Sequence, residues 1–366
     1  MKIAFAILSH NEPEQLLRLA ETLNAMFGKP PIVCHHDFSR CSFDEALFPT
    51  NVRFVHPHIQ TRWGHISVPL AALRAFSLLR KYDQPDWFVL LSGSDYPVRP
   101  ADEIVTELSN TNYDAFLDHR EILHSAIPPC QTAQDGGFGR PDWISLAYHR
   151  YCAGPVWWPR PSNTLLRLGA FPFQRRYVSL RSPGFKWISR WLRFQPPCRI
   201  YGGDFWFQAN KKAINRLLDD PSAPGLVEYY RARPSPDESL FHTAFCNHPD
   251  LQICRDHKRY EIWRGKSHPN WLELSDVPKI LASGAHFARK FRPDGVVQGV
   301  LDETVLGLSP VATHEKRRFH QKRKSRLYDG GSRPKGICWG IDHTRSHRLR
   351  CKLPRRQHGS QQLKFF

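Results

Sequence analysis

The amino terminus of this chain carries the pattern that most constrains its fold: a buried strand followed directly by an amphipathic helix. Residues 3–8 form an uninterrupted apolar run, which is typical of a strand covered on both faces of a parallel sheet. Leucines then recur at helical spacing over residues 16–26. Asn11 is placed to cap this helix, and Pro13 fits its first turn. This start predicts a layered α/β domain.

The same alternation of strands and helices continues along the chain. The pattern predicts strands over residues 32–36, 52–55 and 87–91, and helices from residue 67 and over residues 211–218, 238–245 and 277–284. Strands that alternate with helices imply a parallel sheet with crossover helices on both faces.

Polar side chains follow three of the predicted strands at the point where each strand ends. His10 and Asn11 follow the first strand, Asp37 follows the second, and Asp95 follows the strand over 87–91. Ligands of such sheets bind at the carboxyl ends of the strands. We therefore predict a nucleotide pocket where these residues converge.

The net formal charge of +18 is concentrated at the carboxyl-terminal end of the chain. Residues 311–366 contain sixteen Lys and Arg against three acidic residues, so the preceding 310 residues carry a net charge of only +5. The segment has no zinc-ligand spacing, heptad or aromatic RNA-binding motif, which argues against specific nucleic-acid binding. We predict that residues 308–366 form a disordered basic tail, and a peripheral contact with an anionic membrane surface stays open.

Cysteine usage and hydropathy bear on the cellular compartment. The nine cysteines include no C-x-x-C spacing, which favours free thiols in a reducing compartment. No stretch approaches the ~18 apolar residues of a membrane span, and no small-residue cleavage site follows the first apolar run. We therefore expect a cytoplasmic protein without a signal peptide or transmembrane helix; its oligomeric state stays open.

Two charged segments are the candidates for chemistry. Asp237 and Glu238 follow a proline and fall at the start of the predicted 238–245 helix, where the helix dipole favours negative charge. Arg289 and Lys290 lie between aromatic residues and could neutralise a diphosphate. Each segment also has a plainer interpretation as a charged helix end.

Metal ligation is not indicated by any spacing in the chain. There is no Asp-x-Asp pair of the kind that holds a divalent ion on a diphosphate. His36 and Asp37 are adjacent, but no third ligand stands at a suitable spacing. We therefore expect no metal and no other cofactor.

Seven segments, taken in order, resemble the core-2/I-branching N-acetylglucosaminyltransferase and protein xylosyltransferase family, glycosyltransferase family 14. They are residues 3–10 (IAFAILSH), 33–37 (VCHHD), 62–71 (RWGHISVPLA), 88–97 (FVLLSGSDYP), 201–206 (YGGDFW), 235–238 (SPDE) and 281–291 (LASGAHFARKF). The similarity spans roughly residues 3–292.

The resemblance implies a GT-A-type fold with a Rossmann-like nucleotide-binding half, a UDP-sugar donor, and inversion at the anomeric carbon without a metal. It assigns the catalytic base to Glu238 and the diphosphate contacts to Arg289 and Lys290. The residues that it places in the nucleotide and donor half are His10, Asn11, Asp37 and Asp95. Trp206 and Trp263 are candidates to stack on a sugar face, with core packing as the alternative.

Together these inferences give one expected organisation. Residues 1–307 form the transferase domain, with a nucleotide-binding half over 1–118 and an acceptor and catalytic half over 119–307. The expected activity is transfer of N-acetylglucosamine from a UDP-sugar to a glycan hydroxyl by a bacterial enzyme. UDP-xylose is the alternative donor, and a non-catalytic protein that binds UDP-sugars or polyanions is the alternative of another class.

Overall fold

The computed structural model describes residues 1–123, 143–152, 198–231, 233–263 and 268–306. The predicted basic tail lies outside these described residues. The strands are β1 (Ile3–Ser9), β2 (Ile32–His36), β3 (Val52–Phe54), β4 (Trp87–Ser92), β5 (Tyr96–Pro97), β6 (Ala115–Leu117), β7 (Arg120–Glu121), β8 (Tyr201–Gly202), β9 (Phe207–Asn210), β10 (Ile253–Cys254), β11 (Arg259–Glu261) and β12 (Phe287–Arg289).

Five of the described helices lie close to the positions that the apolar spacing predicts, namely Pro13–Phe27, Ser67–Asp83, Lys211–Asp219, Leu240–Cys246 and Val277–Ala282, and the others had no prediction. The described helices are α1 (Pro13–Phe27), α2 (Ser67–Asp83), α3 (Ala101–Asn110), α4 (Trp143–Ala147), α5 (Lys211–Asp219), α6 (Ala223–Arg231), α7 (Leu240–Cys246), α8 (Val277–Ala282) and α9 (Val296–Leu306). Among the described helices, none combines the length and apolar character needed to cross a bilayer.

The central sheet has seven strands in the order β10-β6-β9-β4-β1-β2-β3. Strand β1 pairs in parallel with β2 and β4, so that Phe5 lies opposite both Ile32 and Val89. The sheet is nevertheless mixed, because β9 runs antiparallel to both β4 and β6. The strands that the sequence predicted, β1 to β4, pair in parallel as expected, and the antiparallel direction belongs to β9, which the sequence did not predict. Only four residues separate β8 from β9, so the chain enters β9 without a crossover helix.

Buried side chains alternate between the two faces of the sheet and build two hydrophobic clusters. Ala4, Ala6 and Leu90 belong to the cluster beneath α2, whereas Phe5 and Ile7 belong to the cluster beneath α1. The two helices therefore cover opposite faces, as the alternation predicted. This packing holds the carboxyl ends of β1, β2 and β4 at one edge of the sheet.

Two local predictions about helix starts were wrong. Asn11 does not cap α1: the N-cap position is Glu12, in a left-handed conformation (φ 49°) and without a side-chain cap. Pro13 occupies the first turn, as predicted. Glu238 lies in a separate 3-10 turn, Pro236–Glu238, and not in α7, which begins at Leu240. Ser239, with extended φ (−147°), separates the two.

A small second sheet, in the order β11-β12-β5, packs beside the carboxyl edge of the central sheet. Strand β12 pairs in parallel with β11, with Glu261 opposite Arg289, and antiparallel with β5, with Ala288 opposite Tyr96. Because β5 follows directly on β4, this sheet brings the end of β12 to the edge where β4 ends.

The described cysteines are free, as expected from their spacing. Cys34 and Cys152 are buried, and burial raises the pKa of each thiol to about 12. They act as small apolar groups in the core.

Candidate functional site

The structure brings together the polar residues that were predicted at the carboxyl edge of the sheet. His10 follows β1, Asp37 follows β2, and Asp95 follows β4 in the turn before β5. The parallel pairing of these three strands places the three residues along one edge. The sequence therefore located the edge correctly, while the contacts made there depend on the tertiary structure.

Asp37 is buried and accepts hydrogen bonds from two loops. Ser39 donates from its hydroxyl to Oδ1 (2.5 Å), and Thr61 donates from its amide (2.7 Å) and hydroxyl (2.9 Å) to Oδ2. Burial alone would raise the pKa of Asp37, but these hydrogen bonds outweigh it and the pKa is lowered. The carboxylate thus anchors the loop at Thr61.

Asp95 is also buried, and it faces guanidinium groups. Arg259 donates to Oδ2 at 2.6 Å, and Nε of Arg289 lies 3.3 Å from Oδ1. Ser92 donates to both oxygens. The assignment of Asp95 to the nucleotide and donor half stays a prediction; within the protein, its carboxylate is bonded to these serine and arginine side chains. It orients the cations of the site.

His10 and Asn11 lie at the exposed rim of the edge. Desolvation lowers the pKa of His10, and the charges of Arg40 and Lys290 lower it further, while Asp37 opposes them. These electrostatic effects show that His10 shares one local environment with Lys290. A neutral imidazole at this rim can accept or donate a hydrogen bond to a ligand.

Arg289 is the last residue of β12, and Lys290 follows it directly. The Arg289 guanidinium carbon is 4.4 Å from the centroid of the Trp206 ring, and the Lys290 ammonium is 5.2 Å from that of Trp271. Desolvation and the neighbouring Arg289 both lower the pKa of Lys290. Two adjacent, partly desolvated cations form a site that an anion would stabilise.

Glu238 is held at the other side of the site by Arg150. The Arg150 guanidinium donates a hydrogen bond to Oε2 at 2.7 Å, and the Glu238 side chain keeps 25% of its surface exposed. Burial and the charge of Asp204 both raise the pKa of Glu238, whereas Arg150 lowers it. Asp237 has a pKa raised to about 7 by burial and by the charge of Glu238.

The segment from Gly202 to Trp206 connects the two charged groups. The Gly203 amide donates to the Glu238 carbonyl at 3.0 Å, while the Trp206 ring lies beneath Arg289. A Cβ at Gly202 would lie 2.9 Å from that carbonyl, so only glycine allows this close approach. Asp204, between them, acts electrostatically on both Glu238 and Arg289.

A cluster that the sequence analysis missed lies at the same place. Asp204, His257 and Glu261 have ligand-type atoms within 4.8 Å of one another. Burial alone would lower the pKa of His257, but the two carboxylates raise it to about 10. Burial and the charge of Asp204 raise the pKa of Glu261. These three residues could ligate a divalent ion, and without one His257 acts as the cation between the carboxylates.

The chain spacing of this cluster explains why it was missed. Asp204 follows β8, whereas His257 lies two residues before β11 and Glu261 is the last residue of that strand, more than fifty positions later. The one local signal was the spacing of His257 and Glu261 by four residues. That spacing indicates a shared face only in a helix, whereas here the chain is extended at β11.

The two tryptophans proposed for sugar stacking have different positions. Trp206 is 7% exposed, with Phe205 at a ring distance of 5.0 Å on one side and Arg289 on another. Trp263 is half-buried and lies two residues after the end of β11. Trp206 supports the Arg289 guanidinium, and stacking of either ring on a sugar stays a prediction.

The arrangement suits a reaction in which a proton is removed at one side and negative charge develops at the other. Glu238, with its raised pKa, is a base of increased strength. Arg289 and Lys290 offer fixed positive charge in a partly desolvated setting. The Gly203–Glu238 hydrogen bond and the Trp206–Arg289 contact fix the two sides relative to each other.

Comparison with known proteins gives one family match. The family described as "Branch: Core-2/I-Branching enzyme" matches residues 3–127 and 184–282. These ranges include the segments that carry Asp37, Asp95, Asp204 and Glu238, and they end before Arg289.

Similar curated proteins include plant and animal enzymes. Beta-glucuronosyltransferase GlcAT14B of Arabidopsis thaliana is 27% identical over 264 residues, which cover 70% of this chain and 52% of that protein. Beta-glucuronosyltransferase GlcAT14A of the same plant is 25% identical over 240 residues, covering 64% of this chain and 45% of that protein. Xylosyltransferase 2 of Mus musculus is 23% identical over 369 residues, covering 92% of this chain and 37% of that protein. The chain thus spans about half or less of the length of these relatives.

Proposed function

This chain belongs to the core-2/I-branching enzyme family, and from that membership we propose that it is an inverting glycosyltransferase that moves a sugar from a UDP-sugar to a hydroxyl of a glycan acceptor. The observation that carries the proposal is the short segment from Gly203 to Trp206, whose first amide is hydrogen-bonded to the Glu238 carbonyl and whose last side chain lies beneath Arg289. A base and an anion site joined by one short segment match the two ends of a displacement at an anomeric carbon.

Glu238 is proposed as the general base. The acceptor oxygen attacks the anomeric carbon of the donor and passes its proton to the Glu238 carboxylate as the new bond forms. The bond between that carbon and the diphosphate oxygen breaks in the same step. A single displacement inverts the configuration and requires no second, nucleophilic carboxylate. Arg150 keeps the Glu238 carboxylate in one orientation for this proton transfer.

Arg289 and Lys290 are proposed to receive the departing diphosphate. The leaving oxygen takes the electron pair of the broken bond, so UDP gains negative charge in the transition state. Asp95 and Trp206 hold Arg289 in place before the reaction, so little reorganisation is needed as that charge develops. His10, at the same rim, is proposed to contact the nucleotide.

The fold and the metal requirement follow from the same proposal. A mixed α/β sheet with its polar edge at the ends of β1, β2 and β4 is consistent with a GT-A-type transferase. We propose that the cationic pair makes a divalent ion unnecessary. Asp204, His257 and Glu261 are the described residues that could hold such an ion, so they define the direct test of this point.

The donor sugar is proposed as one of three. N-acetylglucosamine and xylose are the expectations from the sequence. The names of the plant relatives add glucuronic acid. Nothing in the geometry of Glu238 or Arg289 selects among them, because Glu238 would contact the acceptor hydroxyl and Arg289 the diphosphate that all UDP-sugars share.

Measurement of UDP release from a panel of donors tests the proposal. Purified protein is incubated in EDTA with UDP-N-acetylglucosamine, UDP-xylose or UDP-glucuronic acid, with and without an oligosaccharide mixture. We expect selective release from one donor, stimulated by acceptor, and a product whose anomeric configuration is inverted by proton NMR. Retention of configuration would contradict the role of Glu238. UDP binding without release from any donor under either condition would indicate a non-catalytic binding protein.

A further inference from the structure

An exposed tryptophan stands beside the loop of the proposed base and has no role in the chemistry described above. Trp63 is 75% exposed, which makes it the most exposed of the large hydrophobic side chains in the described part of the chain. An indole with this degree of exposure is unusual, because its large apolar face normally packs against other groups. The segment Arg62-Trp63-Gly64-His65 also belongs to a stretch that resembles the family and had no assigned role.

The backbone around Trp63 is fixed on both sides. Thr61 donates two hydrogen bonds to the buried Asp37 carboxylate, at 2.7 and 2.9 Å. The Arg62 amide donates to the Ser67 hydroxyl at 3.0 Å, at the start of α2. The indole is therefore presented by a held segment, and its exposure does not result from a freely moving loop.

The same segment is joined directly to the loop of the proposed base. The Ser235 amide donates to the Gly64 carbonyl at 3.0 Å, and the Ser235 carbonyl accepts from Glu238 at 3.1 Å. Tyr151 donates to the same carbonyl at 2.6 Å. Trp63 is thus the sequence neighbour of Gly64, whose carbonyl is hydrogen-bonded to Ser235 at the start of the turn that contains Glu238.

The length of this connection determines what Trp63 can reach. The path runs from Trp63 to Gly64, across the hydrogen bond to Ser235, and through the 3-10 turn to Glu238. These three steps sum to at most about 15 Å between the Trp63 and Glu238 backbones. The indole extends several ångströms from the Trp63 backbone. This upper limit on the separation is compatible with a saccharide whose acceptor hydroxyl is held at Glu238 and whose next ring or the one after it meets the indole.

We propose that Trp63 is an acceptor-binding residue, whose indole stacks on a sugar ring of the glycan adjacent to the unit that is modified. This inference rests on the proposed function and names the class of its acceptor: a saccharide of at least two rings with an exposed apolar ring face. The C–H face of a pyranose packs on an aromatic ring, while its hydroxyls stay in water. Arg62 and His65 belong to the same segment and carry N–H groups that can donate to those hydroxyls.

A saccharide array tests the proposal with defined probes. Labelled protein is applied, in the presence of UDP, to immobilised neutral di- and trisaccharides and their monosaccharide units. We expect the wild type to retain a subset of the longer saccharides, and Trp63→Ala to bind them about tenfold more weakly. Trp63→Phe should recover most of the binding, because a flat ring remains. Tyr82→Ala, at an exposed tyrosine near the end of α2, is the matched control and should bind like the wild type.

The possible outcomes separate this inference from the proposed function. UDP affinity is measured for each protein by calorimetry; a wild type that does not bind UDP contradicts the proposed function itself. A wild type that binds UDP but no saccharide overturns the acceptor role of Trp63, and so does equal array binding by Trp63→Ala. A dimer that becomes monomeric in Trp63→Ala would assign the indole to an interface between two copies, which also overturns the proposal.

Discussion

The Arg150 guanidinium donates a hydrogen bond to the Glu238 carboxylate at 2.7 Å, across 88 positions of sequence. The bond affects both the orientation and the pKa of the Glu238 carboxylate. It orients the carboxylate, and it counteracts the rise in pKa that burial produces. The pKa of the proposed base is therefore raised by desolvation and by the charge of Asp204 and lowered by Arg150, so replacing Arg150 can alter it without changing Glu238.

Replacement of Glu238 by glutamine should abolish transfer and keep UDP binding. The amide preserves the shape of the side chain but cannot take a proton from the acceptor, so we expect kcat to fall about 10²- to 10⁴-fold. Glu228→Gln, at an exposed glutamate of α6, is the matched control. Turnover of Glu238→Gln at the wild-type rate would rule out this residue as the base.

Replacement of Arg150 by glutamine should change the pH dependence of kcat/KM. Arg150 lowers the pKa of Glu238, so its loss raises that pKa. A base acts only when deprotonated, and the acidic limb of the profile should therefore move to higher pH. Arg53→Gln, which removes an exposed arginine paired with Asp83, should leave the limb in place. A limb that does not move in Arg150→Gln would show that another group titrates there.

Lys290→Ala should weaken binding of UDP more than binding of uridine. The ammonium is proposed to contact the diphosphate, and loss of a hydrogen bond to a charged group corresponds to roughly a tenfold to hundredfold loss in affinity. Uridine has no phosphate, so its affinity should be unaffected. Lys279→Ala, at an exposed lysine of α8, is the control. Equal losses for UDP and uridine would place Lys290 outside the diphosphate site.

Chelation should leave the activity intact. Arg289 and Lys290 are proposed to supply the positive charge that a divalent ion would otherwise provide. The measurement is the rate of transfer after dialysis against EDTA. Loss of activity that Mg²⁺ or Mn²⁺ restores would contradict this view. If Mg²⁺ or Mn²⁺ then failed to restore the activity of His257→Ala, the ion would be assigned to Asp204, His257 and Glu261.

Gly203→Ala should destabilise the protein. A Cβ at Gly203 would collide with the Asp118 carbonyl, and strain of this kind typically lowers the free energy of unfolding by about 1–3 kcal/mol or more. Gly225→Ala is the matched control, because a Cβ there meets nothing within 4 Å. It lies inside α6, where alanine should raise the free energy of unfolding by about 0.5–1 kcal/mol. Urea unfolding of both variants gives the comparison.

The sequence by itself determined the first four strands and the first two helices of the chain. The strand over 32–36 and the helix that begins at Ser67 have the predicted limits, because apolar periodicity is a local property. It also determined that His10, Asp37 and Asp95 lie at one edge, since the carboxyl ends of parallel strands meet there. The resemblance to the family was also visible in the sequence, because it depends on short segments and on their order along the chain.

Only the tertiary structure decided what these residues contact. Asp95 proved to orient Arg259 and Arg289, because the second sheet places β12 against β5. The antiparallel direction of β9 brings Asp204 to the polar edge, and no local pattern encodes that direction.

The pairing of Arg150 with Glu238, the approach of His257 to Asp204, and the position of Trp63 beside the base loop all join segments that are far apart in sequence. Such contacts depend on how the layers pack. A single sequence records periodicity and order, but it does not record which distant side chains share one desolvated space, and that sharing sets the charge balance at Glu238 and Arg289.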